Sequence, residues 1–153
     1  MTRRETPIDA AAILRVLASH QVDYVVIGGL AVQAHGHTRT TQDLDLVPAP
    51  TDENRARLLA ALAELGARPV GAPAPVPLSI PATGVLELDT LVGGIDIHPA
   101  PPGAAPYAEL RERALVIELD VSVPVASRDD LIAMKRASGR PIDRGDIAAL
   151  TAP

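Results

Sequence analysis

The clearest pattern of hydrophobic and polar positions lies between residues 24 and 48. An apolar run at 24–27 ends at the pair Gly28-Gly29, and a second run at 43–47 alternates acidic and aliphatic residues. Side chains alternate between the two faces of a β-strand, so this alternation predicts a strand with one polar and one buried face. Residues 30–35 have helical character. The stretch therefore predicts a strand, a glycine turn, a short helix and a second strand.

Helix caps and breakers divide the rest of the chain into further elements. Spacing of aliphatic residues predicts helices on both sides of the central stretch, and apolar runs predict a hairpin and two later strands. The predicted helices are Thr6-Pro7 to about His20, Thr51 to Gly66, about 108–113, Ser127 to Gly139, and about 143–150. The predicted strands outside the centre lie at 85–98, as a hairpin, and at 115–118 and 121–125.

The hairpin sequence VLELDTLVGGIDIH predicts a turn at Gly93-Gly94. A two-residue turn at that position pairs Val92 with Ile95 and Leu91 with Asp96. Period-two alternation then separates an apolar face from a polar one. The apolar face holds Leu86, Leu88, Thr90, Val92, Ile95 and Ile97, and the polar face holds Glu87, Asp89, Asp96 and His98.

Composition narrows the class of protein. The 153 residues are most simply one domain over 1–153, and the core must be aliphatic because there is no Phe or Trp and only two Tyr. The absence of cysteine excludes disulfides and thiolate metal sites. No run reaches the ~20 apolar residues of a membrane span, and the N-terminus has no apolar region of signal-peptide type. We therefore expect a cytoplasmic protein with no membrane partner.

The net charge of −5 argues against a general nucleic-acid coat, since non-specific binding is mainly electrostatic. Local basic groups are nevertheless candidates for contact with RNA, although runs of charge are more often solvated faces. These candidates are Arg3-Arg4, Arg111 with Arg113, and the C-terminal set Lys135, Arg136, Arg140 and Arg144.

The two acids of the second strand indicate a metal site. Asp43 and Asp45 share a strand face, and paired carboxylates repel each other unless a cation lies between them. Hard cations such as Mg²⁺ are commonly held by one or two carboxylates together with substrate phosphates. Upstream, Gly28-Gly29 allows the backbone to approach a ligand closely, and the following helix offers N–H groups to an anion. Metal on one side and phosphate on the other suggest a nucleotide site.

In this order, the elements Ile27-Gly28-Gly29, a spacer from Leu30 to Gln42, and Asp43-Leu44-Asp45-Leu46 resemble the signature of the nucleotidyltransferase superfamily, the polymerase-beta-like group. The T-R-T-T run at 38–41 is most similar to the AbiEii-like and MenT-like branch, whose members are often toxins of bacterial toxin–antitoxin pairs. The resemblance implies an α/β (α+β) nucleotidyltransferase fold, with a mixed central β-sheet flanked by helices and with C-terminal helices.

The resemblance also implies roles for individual residues. Asp43 and Asp45 are implied to hold Mg²⁺ or Mn²⁺ with a third carboxylate from a later strand in an apolar-acid-apolar setting. Ile95-Asp96-Ile97 matches that setting better than Asp89 does, so Asp96 is the expected third metal ligand and His98 a supporting residue. Gly28, Gly29, Arg39 and Thr41 are the expected nucleotide-binding residues, with a structural salt bridge as the alternative for Arg39.

The C-terminal segment SRDDLIAMKRASGRPIDRGDIAAL gives a second match to the AbiEii-like pattern. The resemblance implies that Lys135, which projects away from the buried side of its helix, binds nucleotide phosphates. It also implies that Asp143 or Asp146 supports catalysis or orients that lysine, and Asp146 is the expected catalytic acid. The alternative is a surface salt-bridge network formed by Lys135, Arg140, Asp143 and Asp146, which would add little stability.

The implied function is metal-dependent transfer of a nucleoside monophosphate from a nucleoside triphosphate (NTP) to an acceptor hydroxyl. RNA, particularly the 3′ end of tRNA, is the acceptor that the toxin-like branch suggests, with an antitoxin protein as a partner. The absence of stacking aromatic residues fits poorly with a broad RNA groove. The alternatives are a small-molecule (antibiotic) nucleotidyltransferase, a catalytically idle binding module of the same fold, and a metal-dependent phosphohydrolase.

Overall fold

A computed structural model describes residues 7–38 and 41–152. Within these residues, seven strands form one mixed sheet in the order β3-β4-β5-β2-β1-β7-β6. The strands are Tyr24–Ile27 (β1), Asp43–Pro48 (β2), Arg68–Pro69 (β3), Leu86–Thr90 (β4), Gly93–Ile97 (β5), Leu115–Leu119 (β6) and Val121–Val125 (β7). The helices are Ala10–Ser19 (α1), Gly28–Ala34 (α2), Asp52–Glu64 (α3), Tyr107–Glu112 (α4), Arg128–Ser138 (α5) and Pro141–Thr151 (α6). The expected mixed α/β architecture with C-terminal helices is confirmed.

The centre of the sheet is β2, which pairs antiparallel with β1 and parallel with β5. Its leucines, Leu44 and Leu46, are completely buried, whereas Asp43 and Asp45 on the other face are half-buried. The strand therefore has the one apolar and one polar face that its alternating sequence predicted. Since β2 lies between β1 and β5, its carboxylates are flanked on both sides by other strands.

The core is aliphatic, as the composition required. Residues of α1, α3 and the central strands fill it, and burying each leucine or isoleucine fully contributes roughly 1.5–3 kcal/mol. The largest fully buried side chains are Ile13, Leu14, Leu17, Leu44, Leu46, Leu58, Leu62, Leu88, Ile95, Ile97, Leu110 and Leu131. No helix in the described ranges 7–38 and 41–152 has the length and apolar character needed to cross a bilayer.

The caps expected for α3 and α5 are present. Thr51 and Ser127 accept hydrogen bonds from the backbone N–H groups of Asn54 and Asp130, which satisfies donors that a helix start leaves without partners. Gly139 ends α5 in the left-handed conformation, with a φ of +68°. This sharp stop allows α6 to begin two residues later and to pack against α5.

Two predicted helix starts are wrong. Thr6 lies outside the described residues, and α1 begins at Ala10 rather than Pro7, because the side chain of Asp9 caps it by accepting from the Ala12 N–H. The central short helix begins at Gly28 rather than near Leu30. The glycines are therefore the first residues of α2, and no separate turn precedes the helix.

The predicted register of the β4–β5 hairpin is also wrong. The chain turns at Leu91-Val92, so Thr90 pairs with Gly93 and Glu87 pairs with Asp96. Thr90 stabilises this turn, since its Oγ1 donates to the Gly93 carbonyl and accepts from the Val92 N–H. Each strand keeps its alternation, so Leu88, Ile95 and Ile97 are buried as predicted.

A buried asparagine ties the start of α3 to the sheet. The Asn54 Oδ1 accepts from the Asp23 N–H at 2.7 Å, and its Nδ2 donates to the carbonyls of Asp23 at 2.8 Å and Ala49 at 3.1 Å. Asn54 is 2% exposed, so no solvent replaces these bonds when the side chain is shortened. The side chain thus joins the residue before β1 to the residue after β2.

We expect Asn54→Ala to lower the free energy of unfolding by about 3 kcal/mol, because it leaves buried backbone groups without partners. Thr51→Ala, which removes only the cap of the same helix, should cost about 1 kcal/mol. Urea denaturation of both variants measures the difference. Equal losses in the two variants would contradict the role assigned to Asn54.

Candidate active site

The parallel pairing of β2 with β5 places two acids side by side. Asp45 is in register with Asp96, and strands in a sheet lie about 4.8 Å apart, so the two side chains are lateral neighbours on one face. Asp43 is in register with Gly94, which has no side chain to meet it. Strand pairing therefore makes Asp96 the lateral neighbour of Asp45, whereas the other acid of the D-L-D motif, Asp43, lies next to a glycine.

The carboxylate of Asp45 lies close to Gly28, the first residue of α2. Ile27 of β1 is in register with Asp45, and Gly28 follows it with a φ of +73°. A Cβ at position 28 would lie 2.3 Å from the Asp45 Oδ2, well inside van der Waals contact. Gly28 is thus needed both for the left-handed backbone and for the space that the carboxylate occupies.

Three side chains bring atoms capable of binding a metal close together. Among the described residues, Asp45, Asp96 and His98 form a group in which one donor atom from each lies within 4.8 Å of the others. The Nε2 of His98 lies 2.8 Å from the Asp45 Oδ1. His98 follows β5, where its backbone N–H donates to the Leu46 carbonyl and keeps the residue beside β2.

The opposite wall of the site is formed by α5 and α6. Lys135 of α5 is 6% exposed, and its Nζ lies 3.0 Å from the Asp146 Oδ2 and 3.6 Å from the Asp143 Oδ1. The salt-bridge network offered as the alternative is therefore present, but Lys135, Asp143 and Asp146 are buried rather than on the surface. Lys135 also does not project away from the buried side of α5 as expected, because α6 packs against it.

Asp143 binds the neighbouring loop as well as Lys135. The Asp143 Oδ2 accepts from Ser138 Oγ at 2.5 Å and Arg140 Nε at 2.9 Å, and the Oδ1 accepts from Arg140 Nη2 at 3.1 Å. Burial alone would raise the pKa of Asp143, but these hydrogen bonds and the charges of Arg140 and Lys135 outweigh it and lower the pKa to about 2. The hydrogen bond to Asp143 in turn raises the pKa of Arg140.

The two walls enclose a cavity of about 590 Å³, within the roughly 300–1,000 Å³ typical of small-molecule sites. Its lining contains polar and charged groups as well as aliphatic and proline side chains. The polar and charged lining comprises Thr41, Gln42, Asp43, Asp45, Glu87, Asp96, His98, Lys135, Ser138, Arg140 and Asp143. The remaining lining residues are Ile27, Gly28, Gly29, Val85, Pro101, Pro102, Leu131, Met134 and Ile142.

Most of the residues singled out from the sequence line this cavity. Gly28, Gly29, Thr41, Asp43, Asp45, Asp96 and Lys135 do so. Asp146 is not among the lining residues and contacts Lys135 instead. Arg39 lies outside the described residues. Asp89, the disfavoured alternative to Asp96, pairs in register with Gly94 and is not in the lining.

Glu87 and Ser138 line the cavity without an assigned role in the sequence interpretation, which named Arg140 only as a candidate for RNA contact and for the C-terminal salt-bridge network. Glu87 is opposite Asp96 in the hairpin, Ser138 ends α5, and Arg140 precedes α6. The alternation of the hairpin placed Glu87 on the polar face, which was the available signal. The contacts of Ser138 and Arg140 with Asp143 join residues only three to five positions apart, and they depend on the turn between α5 and α6.

A family model described as "Nucleotidyltransferase of unknown function (DUF6036)" matches residues 7–151. No curated protein matches the chain. Among solved structures, the chain is similar to the lincosamide antibiotic adenylyltransferase LnuA, solved with lincomycin bound. The TM-score is 0.67 and the identity 17%, over 97% of this chain and 99% of LnuA.

Two further structures are similar to the chain. ANT(2'')-Ia, solved in complex with adenylyl-2''-tobramycin, has a TM-score of 0.60 and 19% identity over 90% of this chain and 83% of that one. An antigenic nucleotidyltransferase-like protein from Paracoccidioides brasiliensis has a TM-score of 0.52 and 17% identity over 92% and 72%, respectively. At these identities the similarity shows a shared fold.

The close approach of Gly28 to Asp45 gives a matched pair of substitutions. Gly28→Ala and Gly36→Ala both place a side chain at positive φ, a strain of about 1–2 kcal/mol, but position 36 has no atom within 4 Å of the added Cβ. We expect Gly28→Ala, but not Gly36→Ala, to displace Asp45 and to weaken divalent-cation binding at least about tenfold. Isothermal titration calorimetry checks this, and equal cation affinity in the two variants would contradict it.

Asp143 gives a stability effect with a defined pH dependence. Its folded pKa of about 2 lies below the ordinary 3.8, so the charged form stabilises the protein above about pH 4. We expect the free energy of unfolding of the wild type to exceed that of Asp143→Asn by roughly 2 kcal/mol at pH 6, from the size of that pKa shift. The advantage should fall as the pH drops from about 4 to about 2.

Urea denaturation across this pH range measures the advantage. Asp120→Asn is the control, because Asp120 pairs with Arg15 on the surface and such pairs contribute about 0–1 kcal/mol. A difference between wild type and Asp143→Asn that stays constant down to pH 2 would show that the carboxylate of Asp143 is not stabilised in this way.

Proposed function

The chain belongs to the nucleotidyltransferase family whose model spans residues 7–151, and from that premise we propose that it transfers a nucleoside monophosphate from an NTP to a hydroxyl of a small-molecule acceptor. One observation carries the proposal. Asp45 and Asp96 lie side by side on one wall of a cavity whose other wall contains Lys135 and Arg140. Carboxylates for a cation thus lie across the cavity from cations for phosphate.

A divalent cation fits the residues on the acidic wall. Asp45, Asp96 and His98 bring donor atoms within 4.8 Å of one another, and carboxylate oxygens are preferred ligands of such ions. Asp45 and Asp96 would hold the ion, with Asp43 beside them. When bound, the ion would neutralise charge on the triphosphate and lower the pKa of the acceptor hydroxyl.

The phosphate end of the NTP is assigned to the opposite wall. Lys135 is oriented by Asp143 and Asp146, and Arg140 by Asp143 and Ser138, so both cations are held in place before substrate arrives. Such preorganised charges stabilise the charge that develops on the departing pyrophosphate without reorganising during the reaction. Gly28 and Gly29 leave room for the phosphates beside Asp45.

The transfer itself is an in-line displacement at the α-phosphorus. The acceptor oxygen forms a bond to this phosphorus, and the bond to the bridging oxygen of pyrophosphate breaks. The carboxylate of Asp96 takes the proton of the acceptor hydroxyl. Lys135 and Arg140 balance the negative charge of the pyrophosphate as it leaves.

The cavity lining favours a small molecule as acceptor. Val85, Pro101, Pro102, Leu131, Met134 and Ile142 give it an apolar part next to the carboxylates. The chain has no Phe or Trp and neither tyrosine lines the cavity, so His98 is the aromatic side chain of the lining. One imidazole ring offers little surface on which to stack RNA bases. The similar structures of LnuA and ANT(2'')-Ia, which are described with antibiotics, support the same class of acceptor.

The toxin-type function with tRNA and an antitoxin partner stays a prediction from the T-R-T-T and C-terminal motifs. Of the basic residues offered for RNA, Lys135 is buried and Arg113 is held by Asp130 at 2.7 Å, whereas Arg140 lines the cavity together with the acids. These contacts reduce the positive charge available to a polynucleotide. The experiment described next therefore also tests RNA as an acceptor.

The test is incubation of the purified protein with a divalent cation and each of the four α-labelled NTPs. One set of reactions contains a panel of hydroxylated small molecules, including lincosamides and aminoglycosides, and another contains total bacterial RNA. We expect label in a small-molecule product and release of pyrophosphate. Label in RNA alone would overturn the small-molecule assignment, and the absence of any transfer would favour the idle binding module.

Asp45→Asn is the decisive variant in this assay. The amide keeps the shape next to Gly28 but loses the charge, and we expect the rate of transfer to fall by about a thousandfold. Asp120→Asn is the control, since it changes the net charge equally on an exposed surface. Near-normal transfer by Asp45→Asn would contradict the assignment of this residue.

A further inference from the structure

The wall that carries the acid pair also carries one imidazole. We propose that His98 coordinates the divalent cation directly, together with Asp45 and Asp96, and that this nitrogen-containing site prefers a first-row transition-metal ion such as Mn²⁺ to Mg²⁺. The inference rests on the proposed function, because it specifies the cation of the same site. It replaces the supporting role expected for His98 from the sequence.

Topology places His98 at this wall. It follows β5 two residues after Asp96, so alternation directs it to the same face of the sheet. Its backbone N–H is held by the Leu46 carbonyl at 2.8 Å, which extends the pairing with β2 beyond the end of the strand. The ring is 19% exposed and lines the cavity, so a cation that enters the cavity reaches it.

The spacing of the donor atoms suits ligands of one ion. Two ligands at right angles around a cation, with bonds of about 2.1 Å, lie about 3 Å apart. The His98 Nε2 and the Asp45 Oδ1 are 2.8 Å apart, and one donor atom each of Asp45, Asp96 and His98 lie within 4.8 Å of one another. The three side chains are therefore close enough to share one ion.

The competing interpretation is that His98 only donates a hydrogen bond that orients Asp45. The position of Asp96 favours coordination instead, since its carboxylate belongs to the same close group. Asp43 shares the strand face with Asp45 but is not part of that group among the described residues. His98, rather than Asp43, is therefore the third member of the close group formed with Asp45 and Asp96.

The donor set determines which ion is preferred. Mg²⁺ takes oxygen ligands almost exclusively, whereas first-row transition-metal ions accept imidazole nitrogen together with carboxylates. Two carboxylates and one imidazole thus favour Mn²⁺ more than three carboxylates would. The preference follows from one side chain, which makes it testable by substitution.

The first experiment uses wild-type protein with Mn²⁺ and pulsed electron paramagnetic resonance. We expect modulation from a directly coordinated ¹⁴N nucleus, which is replaced by a ¹⁵N pattern when the histidines are isotopically labelled. This measurement needs neither nucleotide nor transfer activity, so its result is separate from the fate of the proposed function. Bound Mn²⁺ without nitrogen coupling, or no binding of Mn²⁺, would overturn the proposal.

The second experiment compares His98→Gln with His20→Gln. Glutamine at position 98 keeps a donor toward Asp45 but removes the imidazole ligand, whereas His20 pairs with Glu64 on the surface. We expect His98→Gln to lose the nitrogen signal and to weaken Mn²⁺ binding about tenfold or more, with a smaller loss for Mg²⁺. His20→Gln should retain both.

The ratio of the two dissociation constants distinguishes the roles of His98. A ligand role predicts that the preference for Mn²⁺ over Mg²⁺ falls in His98→Gln. A purely orienting role predicts equal losses for the two ions, and that result would overturn the proposal. If His98→Gln does not fold, the wild-type spectrum decides by itself.

Discussion

The candidate site depends on a close approach between Gly28 and the carboxylate of Asp45. Antiparallel pairing with β1 puts Asp45 opposite Ile27, and the chain then enters α2 through Gly28 at a φ of +73°. In any larger residue at this position, the Cβ would clash with the Asp45 Oδ2, only 2.3 Å away. On its other side, parallel pairing with β5 puts Asp96 next to Asp45. One carboxylate is therefore fixed between a helix start and a second acid.

Ionic contacts position the side chains contributed by α5 and α6, whereas strand register positions Asp45 and Asp96. Lys135 would be costly to bury alone, and the two acids of α6 compensate for its charge. The sharp end of α5 at Gly139 lets Arg140 fold back onto Asp143, so one carboxylate orients two cations. The fold thus lines one cavity with both carboxylates and cations, the two kinds of charge that bind a metal ion and a triphosphate. This arrangement is consistent with the chemistry of the nucleotidyltransferase family.

Local patterns in the sequence were sufficient to predict which face of a strand each side chain is on. They were insufficient to predict how the strands pair in register. The alternation around Asp43 and Asp96 placed both acids on polar faces correctly, because side-chain direction depends only on the period of two. The turn of the β4–β5 hairpin was misplaced, because Thr90 stabilises Leu91-Val92 at the corner and the glycines enter the strand. Lys135 was expected to lie off the buried side of α5, since nothing local reveals that α6 covers it. The closeness of His98 to Asp45 could not be predicted locally for the same reason, because it depends on the pairing of distant strands.

The most direct test of a metal–nucleotide site between these walls is a crystal structure with Mn²⁺ and a non-hydrolysable α,β-methylene NTP analogue. We expect an anomalous peak in direct contact with the carboxylates of Asp45 and Asp96, with the phosphates extending toward Lys135 and Arg140. A nucleotide bound elsewhere on the protein, or a metal ion that does not touch Asp45, would contradict this assignment of the cavity.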